Sequence, residues 1–284
     1  MSTPAAPPAP APKTSRAGRD LPAAIGVGVG LAALVLLSLL VVKEVFLLVV
    51  AAATCVAVWE MRGALATARI RVPLVPALIG AVGMVVGPYV GGGQALAAAY
   101  ALTCVAVLLW RVADGVRGAA TDIAGGMLVA LYPSFLVGFA SLMLAAPDDG
   151  ERRVITFILV TVFSDIGGYA AGVLFGKHPM APSVSPKKSW EGFAGSVLSC
   201  AVTGALAVSL LLHDDWWAGA LMGVLVAAAA TLGDLVESMI KRDLGVKDMG
   251  TILPGHGGIM DRLDSLVVVA PMVWALLFWF VPQG

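Results

Sequence analysis

Long apolar runs, each broken by a short polar stretch, recur along almost the whole chain. A helix that crosses the hydrocarbon of a membrane needs about 20 consecutive apolar residues. The pattern predicts nine such helices, at 23–42, 45–61, 72–89, 94–110, 122–145, 154–176, 193–212, 216–238 and 265–281. The first two are separated only by Lys43 and Glu44. One unbroken helix over both would be far too long at about 1.5 Å per residue, so a tight turn is expected there. The fold class read from this pattern is all-α, a polytopic integral membrane protein. Residues 1–20 differ, being rich in Pro and Ala with Lys13, Arg16 and Arg19. Such a segment cannot bury enough apolar surface to order itself, so a disordered tail is expected. A full-length span follows its basic residues and no cleavage site is convincing, which argues against a signal peptide.

Composition agrees. Hydrophobic residues make up 59% and charged residues 13%, and the mean hydropathy is +0.93. Soluble domains hold roughly 45–50% apolar residues even with Gly counted. Lys plus Arg equal Asp plus Glu at 18 each, so no nucleic-acid partner is implied. Cys55, Cys104 and Cys200 lie singly in separate runs and suggest neither a disulfide framework nor a metal site. The distribution of charge says more than its sum. With nine spans, all but three of the 18 basic residues fall on the N-terminal side, the exceptions being Lys43, Arg152 and Arg153. Cytoplasmic loops carry the excess of Lys and Arg, so the N-terminus is expected in the cytoplasm. Loops 177–192 and 239–264 then face the cytoplasm too.

Several polar residues stand out against this background. Asp165 lies in the middle of the sixth span, where a lone carboxylate is a functional candidate. Gly167 and Gly168 beside it allow close approach of another backbone or a ligand. The run from Ser185 to Gly192, SPKKSWEG, pairs Lys187 with Lys188, and lysines bind phosphate as point charges. Ser189 suits the N-cap of the following helix. At the end of the eighth span Asp234, Glu237, Ser238 and Lys241 share one helical face. Asp261 and Asp264 repeat the i, i+3 spacing at the start of the last span. Carboxylates from two facing helices are what a hard cation such as Mg²⁺ requires. Ser238–Asp264 is also the most polar window of the chain. It holds Lys241, Arg242, Lys247, Asp248 and Arg262 around a Pro-Gly-His-Gly-Gly run in which His256 could orient a phosphate or move a proton. From another class, a secondary transporter could use Asp165 and Asp234 as an ion relay. Against that, the charges concentrate in cytoplasmic loops and no inverted repeat is visible.

The strings S-x-x-K-R-x4-K-D (Ser238–Asp248) and P-x-H-G-G-x-x-D-R-x-D (Pro254–Asp264) resemble the signature of the phosphatidate cytidylyltransferase family. SPKKSWEG resembles the same family's SPKK-T/S-WEG segment, with Ser189 keeping the hydroxyl of the more frequent Thr. The Pro/Ala-rich tail departs from the pattern and puts only regulation or partners in doubt. The resemblance implies an enzyme that joins CTP and phosphatidic acid to give CDP-diacylglycerol and pyrophosphate in phospholipid biosynthesis. It implies Mg²⁺, with room for a second cation, and a bacterial plasma membrane with the active site facing the cytoplasm. Residues 121–284 would form the catalytic region and 21–120 the preceding helices. Asp234, Asp261, Lys241 and His256 would be catalytic. Asp234, Asp261, Asp264 and Asp165 would hold metal. Ser185, Lys187, Lys188, Ser189, Ser238, Arg242, Lys247, Asp248 and Arg262 would contact substrate. A CTP-dependent polyprenol kinase would use similar parts but transfer the γ-phosphoryl group. The sequence leaves a homodimer open.

Overall fold

The computed structural model describes residues 21–252 and 257–281. The expected tail, residues 1–20, and His256 lie outside them. Nine α-helices account for nearly all of the described structure: α1 (Leu21–Val41), α2 (Lys43–Thr67), α3 (Leu74–Ala113), α4 (Ala119–Val129), α5 (Gly138–Leu144), α6 (Gly150–Phe175), α7 (Trp190–Ala207), α8 (Trp216–Asp243) and α9 (Met260–Phe280). A π-helical turn, Ala130–Phe135, links α4 to α5, and a second, Val208–Leu212, extends α7. Among the described residues, seven helical runs are long and apolar enough to cross a membrane. The chain is thus an all-helical membrane protein.

The helix boundaries differ from the apolar runs in instructive ways. Between α1 and α2 the break is one extended residue, Val42 (φ −152°, ψ 115°). Helix α3 covers two of the predicted spans. It is interrupted at Gly92, whose φ of 61° and ψ of −158° no side-chain-bearing residue adopts comfortably. Its two legs fold back antiparallel, with Gly80 against Thr103, Gly83 against Ala99 and Gly87 against Ala95. Residues 177–192, expected as a loop, contain a short antiparallel hairpin of β1 (Pro179–Ala181) and β2 (Ser185–Ser189).

Small residues set how closely α6, α7, α8 and α9 pack. A Cβ on Gly167 would fall 2.4 Å from Ser199 Cβ, and one on Gly195 would meet Ala171 at 2.2 Å, so α6 and α7 are in backbone contact. The close approach foreseen at Gly167 is therefore to another helix. Gly204 faces the Gly219 carbonyl, and Gly223 faces that of Cys200, closing α7 onto α8. Gly233 lies against the Asp264 carbonyl and does the same for α8 and α9. Ser164 and Ser196 share a buried hydrogen bond of 2.6 Å across the α6–α7 seam.

The charges sort to two ends of the bundle. Lys43 pairs with Glu151 at 3.1 Å, beside Arg152 and Arg153, and Tyr89 donates to Glu44. At the opposite end Thr67 meets the Leu244 carbonyl, Arg242 reaches the Val184 carbonyl, and Arg71 N–H donates to Asp122.

Candidate active site

The hairpin and three helices enclose a cavity of about 370 Å³ at this second end. Its polar lining includes Asp165 from α6, Lys187, Lys188 and Ser189 from β2, and Asp234 from α8. Tyr169, Val173, Met180 and Phe193 supply apolar walls. Tyr169 and Val173 are also strongly exposed, at 76% and 65%. The cavity therefore sets charged side chains beside exposed apolar ones. Residues far apart in sequence converge because the glycine seams bring α6, α7 and α8 together below the hairpin.

Ser189 performs the cap read from sequence: its Oγ accepts the Gly192 N–H at 3.1 Å, a contact worth about 1 kcal/mol to a helix start. That cap fixes where β2 ends and holds Lys188 over α8, where its Nζ pairs with Asp234 Oδ2. Asp234 Oδ1 accepts Ser265 Oγ at 2.6 Å, and the Ser265 N–H donates to Asp264 Oδ1 at 2.8 Å. Asp165, Asp234 and Asp264 lie close enough for their negative charges to repel.

A second cluster adjoins the first on the same face of α8. Lys241 Nζ donates to Glu237 at 2.7 Å and to Asp261 at 2.9 Å. Asp261 also accepts the backbone N–H groups of Met249 and Gly258, at 3.0 Å and 2.7 Å to Oδ2. Both its oxygens are engaged, and it pins the polar loop to the start of α9. Glu237 is buried, with Oε1 unpartnered among the described residues.

The other candidates are placed less tightly. Arg242 bonds the hairpin through Val184 O, and Ser185 begins β2. Arg262 is exposed, close enough to Asp165 to offset part of its charge. Lys247 and Asp248 are exposed on the loop, and Ser238 is half-buried with no side-chain hydrogen bond among the described residues. The described part of the Pro-Gly-His-Gly-Gly run, Gly257 and Gly258, presses on the protein's own carboxylates. A Cβ on Gly257 would lie 2.9 Å from Asp261 Oδ2, and one on Gly258 would lie 2.4 Å from Glu60 Oε2.

Glu60 is the participant that sequence reading missed. It sits two turns before the end of α2, 2% exposed, accepts the Met260 N–H and leaves Oε1 unpartnered among the described residues. A carboxylate in an apolar run, as with Asp165, was its only signal.

The donor set suits a divalent cation in kind. Five carboxylates (Asp165, Asp234, Glu237, Asp261, Asp264) gather around Lys188, Lys241 and Arg262, giving hard oxygen ligands and surplus negative charge. Among the described residues, no three such side chains stand in ligating arrangement.

Residues 22–280 match the model of the cytidylyltransferase family. The chain is 42% identical over 282 residues to a phosphatidate cytidylyltransferase of Mycobacterium bovis, covering 94% of this chain and 92% of that one. Its namesake from Mycobacterium tuberculosis is also 42% identical, covering 94% and 85%. That from Mycobacterium leprae is 39% identical, covering 93% and 89%.

Proposed function

The chain belongs to the cytidylyltransferase family, and from that premise we propose that it is a phosphatidate cytidylyltransferase, converting CTP and phosphatidic acid to CDP-diacylglycerol and pyrophosphate. One observation carries the reading to this chain's own residues. A single cavity combines paired lysines and carboxylates with a wall of exposed apolar side chains, Tyr169 and Val173 among them. That combination fits a reaction between a lipid phosphate and a nucleoside triphosphate.

In this reading the phosphatidate phosphate oxygen attacks the α-phosphorus of CTP, and pyrophosphate leaves. The chain holds two polyanions together and offsets charge on the leaving group, by positioning and electrostatics. Lys187 and Lys188 bind phosphate, and Ser185 and Ser189 flank them. Lys241, Arg242, Lys247 and Arg262, with Ser238, Asp248 and His256, would contact the substrates from α8, the following loop and the start of α9. Mg²⁺, with a second cation where two are used, would be held by Asp234 with Asp264 and Asp165, while Asp261, whose oxygens accept from Lys241 and the loop backbone, would hold the neighbouring face in place. Bound metal would supply charge neutralisation at the phosphates.

The same proposal includes nine membrane crossings, counting the two legs of α3 separately, a cytoplasmic N-terminus and a site open to the cytoplasm. Residues 121–284 carry the cavity and 21–120 support it; the reading accommodates a homodimer.

The test supplies CTP labelled at the α- or the γ-phosphorus together with phosphatidic acid. Alpha label should enter the lipid and gamma label the pyrophosphate. Lipid carrying only gamma label would identify a kinase instead.

A further inference from the structure

A second cavity, of about 600 Å³, opens at the same end of the bundle and shares no lining residue with the first. It lies between the end of α2 and the two ends of α3. Arg62, Arg69 and Arg71 line it, with Asp114 as the carboxylate among its lining residues. Leu74, Val75 and Trp110 form the apolar side.

Arg62 is held in place, and all three arginines are left without an ion pair among the described residues. Arg62 Nε donates to the Val72 carbonyl at 3.1 Å, which fixes the side chain across the 68–73 turn. Its two terminal nitrogens have no protein partner among the described residues. Arg69 ends α2 with φ of +63°, a left-handed conformation that glycine would adopt at less cost. Asp122 is the nearby carboxylate that Arg71 touches, but only through its backbone N–H. The charge of Asp122 is spent on buried Arg111, 3.0 Å away. No ion pair joins Arg62, Arg69 or Arg71 to any carboxylate among the described residues. Three guanidinium groups therefore converge on one cavity against a single aspartate.

The surroundings indicate what the charge meets. Val75 is 53% exposed and Trp110 44%, and Ile79, one helical turn beyond Val75, is 70% exposed. These residues lie where α3 passes from the polar end of the bundle into its lipid-facing stretch. Tryptophan is favoured at that level of a membrane. A phosphate seated among the arginines would have its acyl chains directed along the apolar surface of α3. Guanidinium groups bind phosphate oxygens in pairs, with geometry a lysine lacks.

We propose that this cavity binds the headgroup of an anionic phospholipid, as a site separate from the catalytic cavity. Binding is measured on the purified full-length protein in detergent by native mass spectrometry, with phosphatidylglycerol or phosphatidylcholine added. Wild type should retain phosphatidylglycerol in preference to phosphatidylcholine. Replacing Arg69→Gln and Arg71→Gln, whose side chains are exposed and bear no fold contact, should weaken retention roughly fivefold for each arginine removed. Lys187→Ala in the catalytic cavity should leave retention unchanged. Millimolar inorganic phosphate should not displace the lipid. A second measurement uses no arginine variant: phosphatidylglycerol with brominated chains should quench wild-type fluorescence more than that of Trp110→Phe. Equal retention by wild type and the Arg69→Gln/Arg71→Gln protein, full displacement by phosphate, no preference over phosphatidylcholine, or equal quenching would each overturn the proposal.

Discussion

Glu60 and Met260, 200 residues apart in the chain, are joined by one hydrogen bond: the Met260 N–H donates to Glu60 Oε2 at 2.9 Å. The contact ties the last third of α2 to the first turn of α9. It is packed as well as bonded. A Cβ added to Gly250 would fall 2.1 Å from Glu60 Oε1, and one added to Gly258 would fall 2.4 Å from Oε2. The polar loop between α8 and α9 is thus clamped from both sides, by Glu60 of α2 and by Asp261 of α9.

This clamp predicts a strong dependence on Gly258 and on Glu60. Gly258→Ala should cost about 1–3 kcal/mol of stability, as overpacking does, and most of the activity. Glu60→Ala should cost about 1–3 kcal/mol by leaving the Met260 N–H unsatisfied. Combined, the two should cost less than their sum, with a coupling of roughly 0.5–3 kcal/mol. Thermal unfolding and turnover of the two single variants and the double variant measure it. Strict additivity would show that Glu60 does not hold the loop.

The two lysines of the hairpin are expected to behave differently, although they are neighbours in sequence. Lys188 is half-buried and paired with Asp234, whereas Lys187 is exposed and has no ion pair among the described residues. Lys187→Ala should raise KM for CTP or lipid with little change in kcat. Lys188→Ala also leaves Asp234 without its cation and should lower kcat by roughly tenfold or more. Steady-state kinetics with each substrate varied separates the two. Identical profiles would show that the Asp234 pairing is without consequence for the reaction.

Much of this architecture was visible beforehand as hydrophobic pattern. Apolar runs located the helices because lipid imposes length and composition on any segment that crosses it. The same reading placed Lys43, Arg152 and Arg153 apart from the other basic residues, and the Lys43–Glu151 pair lies at that end of the bundle. Separate runs at 72–89 and 94–110 already implied a reversal between them, and α3 is interrupted there at Gly92. Pattern could not find the hairpin at 179–189, which is held by backbone pairing between two short strands. In the candidate site, motif spacing singled out Lys188, Asp234, Asp261 and Asp264. It gave no sign of Glu60 or Ser265, whose roles arise only when α2, α8 and α9 are packed together.

Sidedness offers a test independent of catalysis. A cysteine at Ser185, on the hairpin, should resist an impermeant thiol reagent applied to intact cells and react once the membrane is opened. A cysteine at Asp148, an exposed position just before α6, should react in intact cells. The native Cys55, Cys104 and Cys200 are first replaced by alanine. Reversal of the pattern would invert the orientation inferred from the basic residues while leaving the fold intact.

The final prediction concerns Asp234 and Asp261, which the sequence presents as equivalent and the structure does not. Asp261 accepts from Lys241 and from the backbone of Met249 and Gly258, so both its oxygens already serve the fold. Asp234 faces the cavity, near Asp165 and Asp264. Asparagine preserves shape in each case but removes charge and turns one acceptor into a donor. At Asp234 the loss falls on cation binding. Asp234→Asn should purify with near-normal stability, need roughly tenfold more Mg²⁺ for half-maximal activity, and turn over far more slowly at saturation. At Asp261 the new amide must point its N–H groups at backbone N–H groups or at Lys241. Asp261→Asn should therefore lose about 1–3 kcal/mol of stability from unsatisfied donors, and excess Mg²⁺ should not restore activity. Chelation with EDTA should silence wild type, with Mg²⁺ restoring it. Titrations of activity against Mg²⁺, run beside thermal unfolding of each variant, distinguish the roles. Unchanged Mg²⁺ dependence in Asp234→Asn would remove that residue from the metal site, and rescue of Asp261→Asn by Mg²⁺ would make Asp261 a ligand in its own right.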